Sequence, residues 1–493
     1  MKIKSGFLLS CAMFALCSTS SLAYADEDEA NRLQELFQNY LTDTEGVVSV
    51  ETEGDGYKVT LDSGPLTAEA TKGAAMNDNG ATDVKLTPLV FKLAKSGEGQ
   101  WAFTEDQPIE LTISVKGQSE ITEKIGSLKA SGTFDEKLGY FTQMKGEASD
   151  ITISNKVADP ATGPSDSSAT IKSMKFDQTG TAAANGGVDV VAKYTLDGMS
   201  ETINSPGKAE AGMPPLNLVI TAASGSYDIN GKGVKASSML DLLAFAVAHQ
   251  TKEEAIKDQA DLKDALTTGL PLWENMSGKG TLSTISIASP MGKIDIDSID
   301  ASIDATGVVK DGKFREQMGL KGIKLPPTLV PPWATKLVPK NVNFDFTVSG
   351  FDLDAPAKLL LTQLDLSKEP PVPAGFEQVL LPAFLPKGVV DVILNPTTVE
   401  NETYSVKMEG SLAAGPAAQP TGKATISAKG LDEIMKVVQA APPEAGLGQS
   451  VAVIIAAKGI GKTGPDGALT WDVQSTPDGK ITINGIDPNT LGK

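Results

Sequence analysis

Cysteine is nearly absent from this chain of 493 residues, and the two present, Cys11 and Cys17, both fall in the first 25. The remaining 468 residues offer no disulfide, no thiol nucleophile and no thiolate metal ligand. Histidine occurs once, at His249, which excludes a zinc site of any common composition. Arginine occurs twice, at Arg32 and Arg315, in a chain of formal charge −19. Such a surface repels phosphate backbones, so nucleic acid is excluded as a partner. After residue 25 no apolar run is long enough to span a bilayer. A chain without cross-links must be held by its core alone, and its length is ample for more than one.

The N terminus has three parts. Lys2 and Lys4 supply a positive start, Gly6 to Leu16 an apolar stretch, and Ala23-Tyr24-Ala25 a small-x-small cleavage site. We expect residues 1–25 to be a signal peptide, cut after Ala25 and leaving a charge of −21. An uncleaved anchor is a competing reading, because Gly6 to Ala25 approaches the length of a bilayer span. The polar residues Ser18 to Ser21 argue against it. A lipid-modified Cys11 is disfavoured by the short apolar run before it. The expected location of the mature chain is the periplasm.

One helix is expected at the start of the mature chain, where Leu33, Leu36, Phe37, Tyr40 and Leu41 form a single apolar stripe. Strand patterns follow. Ile109, Leu111, Ile113 and Val115 alternate with polar residues, as do Val188, Val190, Ala192, Tyr194 and Leu196, and later Val342, Phe344, Phe346 and Val348. Period-two alternation buries one face and wets the other, the mark of antiparallel sheets. Ala158 to Ser168 reads as a loop. A helical segment is expected at 236–275. Ser238 and Asp241 offer a cap for a nearly all-apolar helix packed deep against a sheet, and Thr251 with Glu254 forms a capping box for a second helix ending near Gly269.

Two internal echoes suggest duplication. Gly231-Lys232 leads to Leu240-Asp241 at the spacing with which Gly422-Lys423 leads to Leu431-Asp432, so a short helix is expected near 430–440. Val338-Pro339-Lys340 likewise echoes Leu385-Pro386-Lys387, each after a proline-broken apolar segment. The expected architecture is mainly antiparallel β with a few packed helices. It has two related halves, 26–235 and 276–493, on either side of the helical segment.

Chemical motifs are weak. Gly459, Gly461 and Gly464 fit a dinucleotide-binding pattern after the apolar run Val451 to Ala457. A phosphate there needs a helix N-terminus, however, and Pro465-Asp466-Gly467 makes another turn, so a glycine-rich hairpin is expected. His249 reads as a helix-end residue in preference to the base of a Ser-His-Asp arrangement. Asp295, Asp297, Asp300 and Asp304 lack the glycine and terminal glutamate of a calcium loop, and read as the wet side of a bulged strand. No pair of carboxylates stands out for hydrolysis. The proline-broken segments with Trp333, Leu337, Phe384 and Leu385 have two readings: plugs at the end of a sheet, or the lining of an apolar-ligand groove.

The signal peptide, the Gly-Lys to Leu-Asp helix approaches and the closing hairpin from Asp466 to Gly485 together resemble an uncharacterised alphaproteobacterial periplasmic family, that of domain of unknown function 2125. More distantly the chain looks like AsmA-type envelope proteins. The likeness implies long curved sheets with an apolar inner groove, and lipid handling or support of envelope assembly. AsmA-like proteins usually keep an N-terminal anchor, and the cleavage site at Ala25 departs from that. The likeness supplies no catalytic residue and no cofactor. The expected function is therefore non-enzymatic: a periplasmic protein that binds a lipid or other apolar ligand or meets envelope proteins. A purely structural β protein making protein contacts is the alternative, and a hydrolase acting through carboxylates the most remote reading.

Overall fold

The computed structural model describes residues 25–65, 82–115, 117–159, 163–207, 215–249, 251–416 and 418–487. Residues 1–24, which carry most of the expected signal peptide, lie outside the described residues. The chain is mainly β, 54% strand and 22% helix, with twenty antiparallel strands that do not close into a barrel. It divides into two compact units, Met1–Met276 with Lys358–Ala374, and Ser277–Ala357 with Gly375–Lys493.

The first unit opens with helix α1 (Glu27–Tyr40), capped by Asp26, whose carboxylate accepts the Glu29 amide. Of its expected stripe Leu33 and Phe37 are buried, and Ala30 is buried with them. Ten strands follow: β1 (Val48–Glu53), β2 (Gly56–Leu61), β3 (Thr82–Leu86), β4 (Leu89–Gly97), β5 (Gln100–Val115), β6 (Ser119–Asp135), β7 (Tyr140–Asp159), β8 (Gly163–Ala182), β9 (Val188–Ser205) and β10 (Leu216–Val234). Pairing runs β1-β2-β4-β5-β6-β7-β8-β9-β10, with β3 beside the far end of β5. At 20 residues, β7 and β8 are each about 65 Å long. They absorb most of the Ala158–Ser168 stretch expected to be a loop, because its Ser and Asp residues continue the alternation and pair in register, Val157 with Ser165 and Asn155 with Ser167.

Helix α1 covers one end of this sheet. Phe91, Phe103, Phe134 and Phe141 form a chain of edge-on and tilted rings beneath it, beginning with Phe37 at 6.1 Å from Phe91. Arg32 reaches Glu136, whose carboxylate also accepts from the Trp101 indole.

Beyond this core the strands share one irregularity. At Gly126, Asp150, Lys172, Gly198 and Ala223 the ladders of β6 to β10 lose a rung, then resume in the same register. Each strand carries an extra residue at the same level, so inward positions step by three: Leu128 to Ile125, Ala148 to Ile151, Met174 to Ile171, Leu196 to Met199. Strand β5 lacks the extra residue, and its register against β6 shifts at Pro108. Asp150 and Gly198 meet the extra residue with left-handed backbone, φ 54° and 63°.

Helices α2 (Ala236–Ala248), α3 (Lys252–Lys257) and α4 (Gln259–Gly269) close the first unit. Thr251 and Glu254 form the expected capping box, but the helix it starts breaks at Asp258 into two. Ser238 does not cap α2. The cap position is Lys235, where the backbone leaving β10 bonds to Leu272, and Ser238 lies a turn inside and buried. Nor is α2 packed deep. Only Ser238 and Leu240 are buried, and Phe245 and Val247 are half-buried.

The second unit holds most of β11 (Asn275–Ser289), then β12 (Gly292–Thr306), β13 (Gly312–Lys321), β14 (Asn341–Phe351), β15 (Val390–Glu400), β16 (Ser405–Gly415), β17 (Ala418–Lys429), β18 (Lys462–Thr463), β19 (Leu469–Ser475) and β20 (Ile481–Ile483). Neighbours pair in order from β12 to β17, then β17 with β19 and β19 with β20. Helix α5 (Asp354–Gln363) and helix α6 (Glu377–Phe384) follow β14, and α7 (Leu431–Gln439) and α8 (Gly448–Ile460) follow β17. Both Gly-Lys echoes thus run from a strand into a helix, but Leu431 opens α7 while Leu240 lies in the second turn of α2.

Two outcomes follow for stability. Leu33→Ala, at a site 2% exposed, lowers unfolding free energy by about 2–5 kcal/mol in denaturant titration. Asp150→Val, which forces a β-branched side chain into the left-handed region, costs about 1–2 kcal/mol or more, whereas Asp150→Gly costs none.

Candidate functional site

Register fixes which residues share a face, because paired residues point the same way and alternate along each strand. Past the line of extra residues, one face of the first unit carries Ile109, Leu111, Ile113 and Val115 on β5 and Ile121 and Ile125 on β6. It continues through Ile151, Ile153 and Val157 on β7, Ile171 on β8, Met199 and Ile203 on β9, and Leu216, Leu218 and Ile220 on β10. The opposite face is mostly Thr, Ser, Lys, Glu and Asn, with Asp166 and Val219 among them. Among the described residues, no helix of the first unit covers this aliphatic panel as α1 covers the aromatic one. Ile121 and Leu216 are 37% and 46% exposed, and most of the rest are half-buried.

The second unit repeats the pattern. One face joins Ile299 and Ile303 on β12, Phe314, Met318 and Leu320 on β13, and Val342, Phe344, Phe346 and Val348 on β14. Val392 and Leu394 on β15, Met408 and Leu412 on β16, Ile426 on β17 and Trp471 on β19 extend it. Helix α8 closes one end: the Trp471 indole donates to the Ala457 carbonyl at 2.8 Å and the residue is 8% exposed. Further along, Ile303, Met318 and Phe344 are 44–47% exposed. Apolar residues in such numbers on an open sheet face make the two panels the candidate site.

Trp333, Leu337, Phe384 and Leu385 do not form one groove. Trp333 and Leu337 lie on a 3₁₀ turn, Pro332–Leu337, that leads into the first residue of β14. Tyr404 donates its hydroxyl to the Leu337 carbonyl at 2.9 Å, and the Asn401 amide donates to the carbonyls of Lys336 and Val338. Phe384 stacks on Phe351 at the last residue of β14, 5.6 Å between centroids, and Leu385 is buried beside it. The pairs are separated by the length of β14, 11 residues or about 35 Å. The two proline-broken segments lead into neighbouring strands, β14 and β15, and those strands are antiparallel. Sequence-equivalent approaches therefore arrive at opposite ends. Each segment plugs its own end.

The remaining motifs resolve into structural contacts. Val451 to Ala457 is helix α8, not a strand, so Gly459 and Gly461 end a helix where a dinucleotide turn must begin one. Gly464 to Gly467 turns the β18–β19 hairpin. Among the aspartates, Asp295, Asp297 and Asp300 pair with Lys293, Lys324 and Lys321. Their strand pairs with β13 continuously only from Ser298 to Ala305 and meets it again at the Asp295–Lys324 bridge, and in the interval between the two Gly322 is left-handed, φ 66°. Among the described residues no three acidic or histidine side chains are gathered as a metal ion would need. The buried Asp345 accepts both Nε and Nη2 of Arg315, at 3.0 and 2.6 Å, and the Asn395 amide at 2.8 Å. Arg315 first, and then Asn395, hold its carboxyl below the usual range. This network pins a bulge at Asn395-Pro396, the kind of place where a sheet admits proline. Residue-by-residue inspection of the sequence missed it, although one of only two arginines and a proline within an alternating run were its signals.

His249 ends α2 stacked on Phe245, ring centroids 3.9 Å apart. Its Nδ1 lies 2.8 Å from the Phe245 carbonyl and its Nε2 3.0 Å from Asp258. Both nitrogens are engaged, and the Phe245 carbonyl, then Asp258, push its pKa above the ordinary value of 6.5. A raised folded value means this contact stabilises fully below about 6.5 and is lost as pH rises through the folded value. In an NMR titration His249 should therefore have a midpoint above 6.5, and Asp258→Asn should lower it.

No family model matches the chain, and neither a curated protein nor a solved structure does so. No helix among the described residues is long and apolar enough to cross a membrane.

Proposed function

We propose that this is an exported, non-enzymatic protein of a bacterial envelope that holds the acyl chains of a lipid, or a similar apolar ligand, on the open aliphatic faces of its sheets. One observation carries the reading: long rows of Ile, Leu, Val and Met share a face, and among the described residues part of that face has no helix over it. Burial of each methylene contributes about 0.8 kcal/mol, so a chain of ten or more carbons laid along such a panel gains up to about 8 kcal/mol to set against the cost of association. The N-terminal signal pattern ending at Ala25, the acidic surface and the AsmA-like sequence features support placement in the periplasm. Trp333 and Phe384, each plugging a strand end in the second unit, serve to hold that unit's ends in shape.

The test is native mass spectrometry of protein released gently from the envelope. We expect co-purifying lipid, reduced several-fold by Ile153→Asp in the first unit and by Phe344→Asp in the second. A mass free of ligand in the unaltered protein would instead favour a sheet that makes protein contacts only.

A further inference from the structure

Charge is segregated between the two faces of the first unit's sheet. Lys124, Lys129, Lys145, Lys156, Lys175 and Lys193 all project from the polar face, by the same register that puts Ile151 and Ile153 on the other. On the aliphatic panel the ionisable residues with described side chains are Glu123 of β6 and Glu201 of β9. They lie in one cross-strand row, Glu123 beside Ile153, Ile153 beside Ala169, Ala169 beside Glu201. The next row sets Asn155 directly opposite Ser167, between Ile121 and Ile203. Neither glutamate has an ion-pair partner among the described residues, and the buried Asn155 Oδ1 has no hydrogen-bond donor. Four successive strands thus place two carboxylates, one amide and one hydroxyl in the middle of an apolar surface, with no cation among them. The second unit obeys the same rule: on its apolar face from β12 to β17 the one ionisable residue is Glu316.

We infer that the ligand of this panel carries an ammonium head group, seated over Asn155 and Ser167 between Glu123 and Glu201, with its hydrocarbon chain along Ile125, Ile151, Ile171 and Met199. The inference rests on the acyl-binding reading above. An ammonium supplies the positive charge and the N–H donors that the two carboxylates lack, and a phosphate or carboxylate head group would meet two like charges and no cation. The glutamates stand about 14 Å apart across three strand spacings, within reach of one amine between them.

Binding of dodecylamine and of dodecanol to the purified protein, by calorimetry at pH 7, tests this. The amine should bind about ten-fold more tightly than the alcohol. That gap should close in Glu123→Gln/Glu201→Gln, with alcohol binding retained as proof of fold. It should persist in Asp177→Asn/Asp228→Asn, which removes two carboxylates from the polar face. Equal binding of amine and alcohol, or a gap that survives Glu123→Gln/Glu201→Gln, would overturn the head-group inference and leave acyl binding standing. Binding of neither probe would overturn acyl binding itself.

Discussion

The structure depends on strict two-residue alternation carried over strands longer than their helical cover. Strand β5, 16 residues long, puts six large apolar side chains on one face, Trp101 and Phe103 near one end and Ile109, Leu111, Ile113 and Val115 towards the other. The hydrophobic effect then requires something to lie against that face. Helix α1 answers the requirement only for the aromatic end of the first unit, and α8 only for the Trp471 end of the second. Everything proposed about function comes from the remainder. The polar face needs nothing, since its Lys, Glu and Thr side chains are solvated and its ion pairs, such as Lys124–Glu110 and Lys156–Glu120, are exposed and contribute little.

The alternation survives because the sheet manages its own irregularities collectively. An extra residue in one strand alone would turn its later side chains to the wrong face. In β6 to β10 the extra residue recurs at one level, at Gly126, Asp150, Lys172, Gly198 and Ala223, so all five strands change phase together and keep both register and face. In the second unit the bulge at Asn395-Pro396 has no such company, and there Asp345 and Arg315 hold it instead.

The β class, α1, the Thr251–Glu254 box and the short helix after Gly430 were legible because each rests on local chemistry: period, capping and punctuation. The phase change was also written in the chain. The run from Val188 alternates faithfully to Leu196 and then resumes at Met199, but one strand read alone cannot show that four neighbours do the same. What local patterns could not supply was direction. The likeness between the Val338 and Leu385 segments is real in sequence, yet antiparallel pairing of β14 with β15 sends them to opposite ends. A groove joining Trp333 to Phe384 was therefore a topological error, not a chemical one. The apolar run Val451 to Ala457 illustrates another loss: seven apolar residues read equally as strand or helix, and only α8's packing on Trp471 decides.

The most direct measurement is photo-crosslinking with a fatty acid bearing a diazirine on its chain, followed by peptide mapping across β7. If the chain lies on the aliphatic panel, label falls on Ile151, Ile153 and Val157 and skips Thr152, Ser154 and Lys156, a period-two footprint that only the apolar face of a strand produces. Label spread evenly along β7, or confined to the helices, would contradict the claim that the open sheet face is the binding surface.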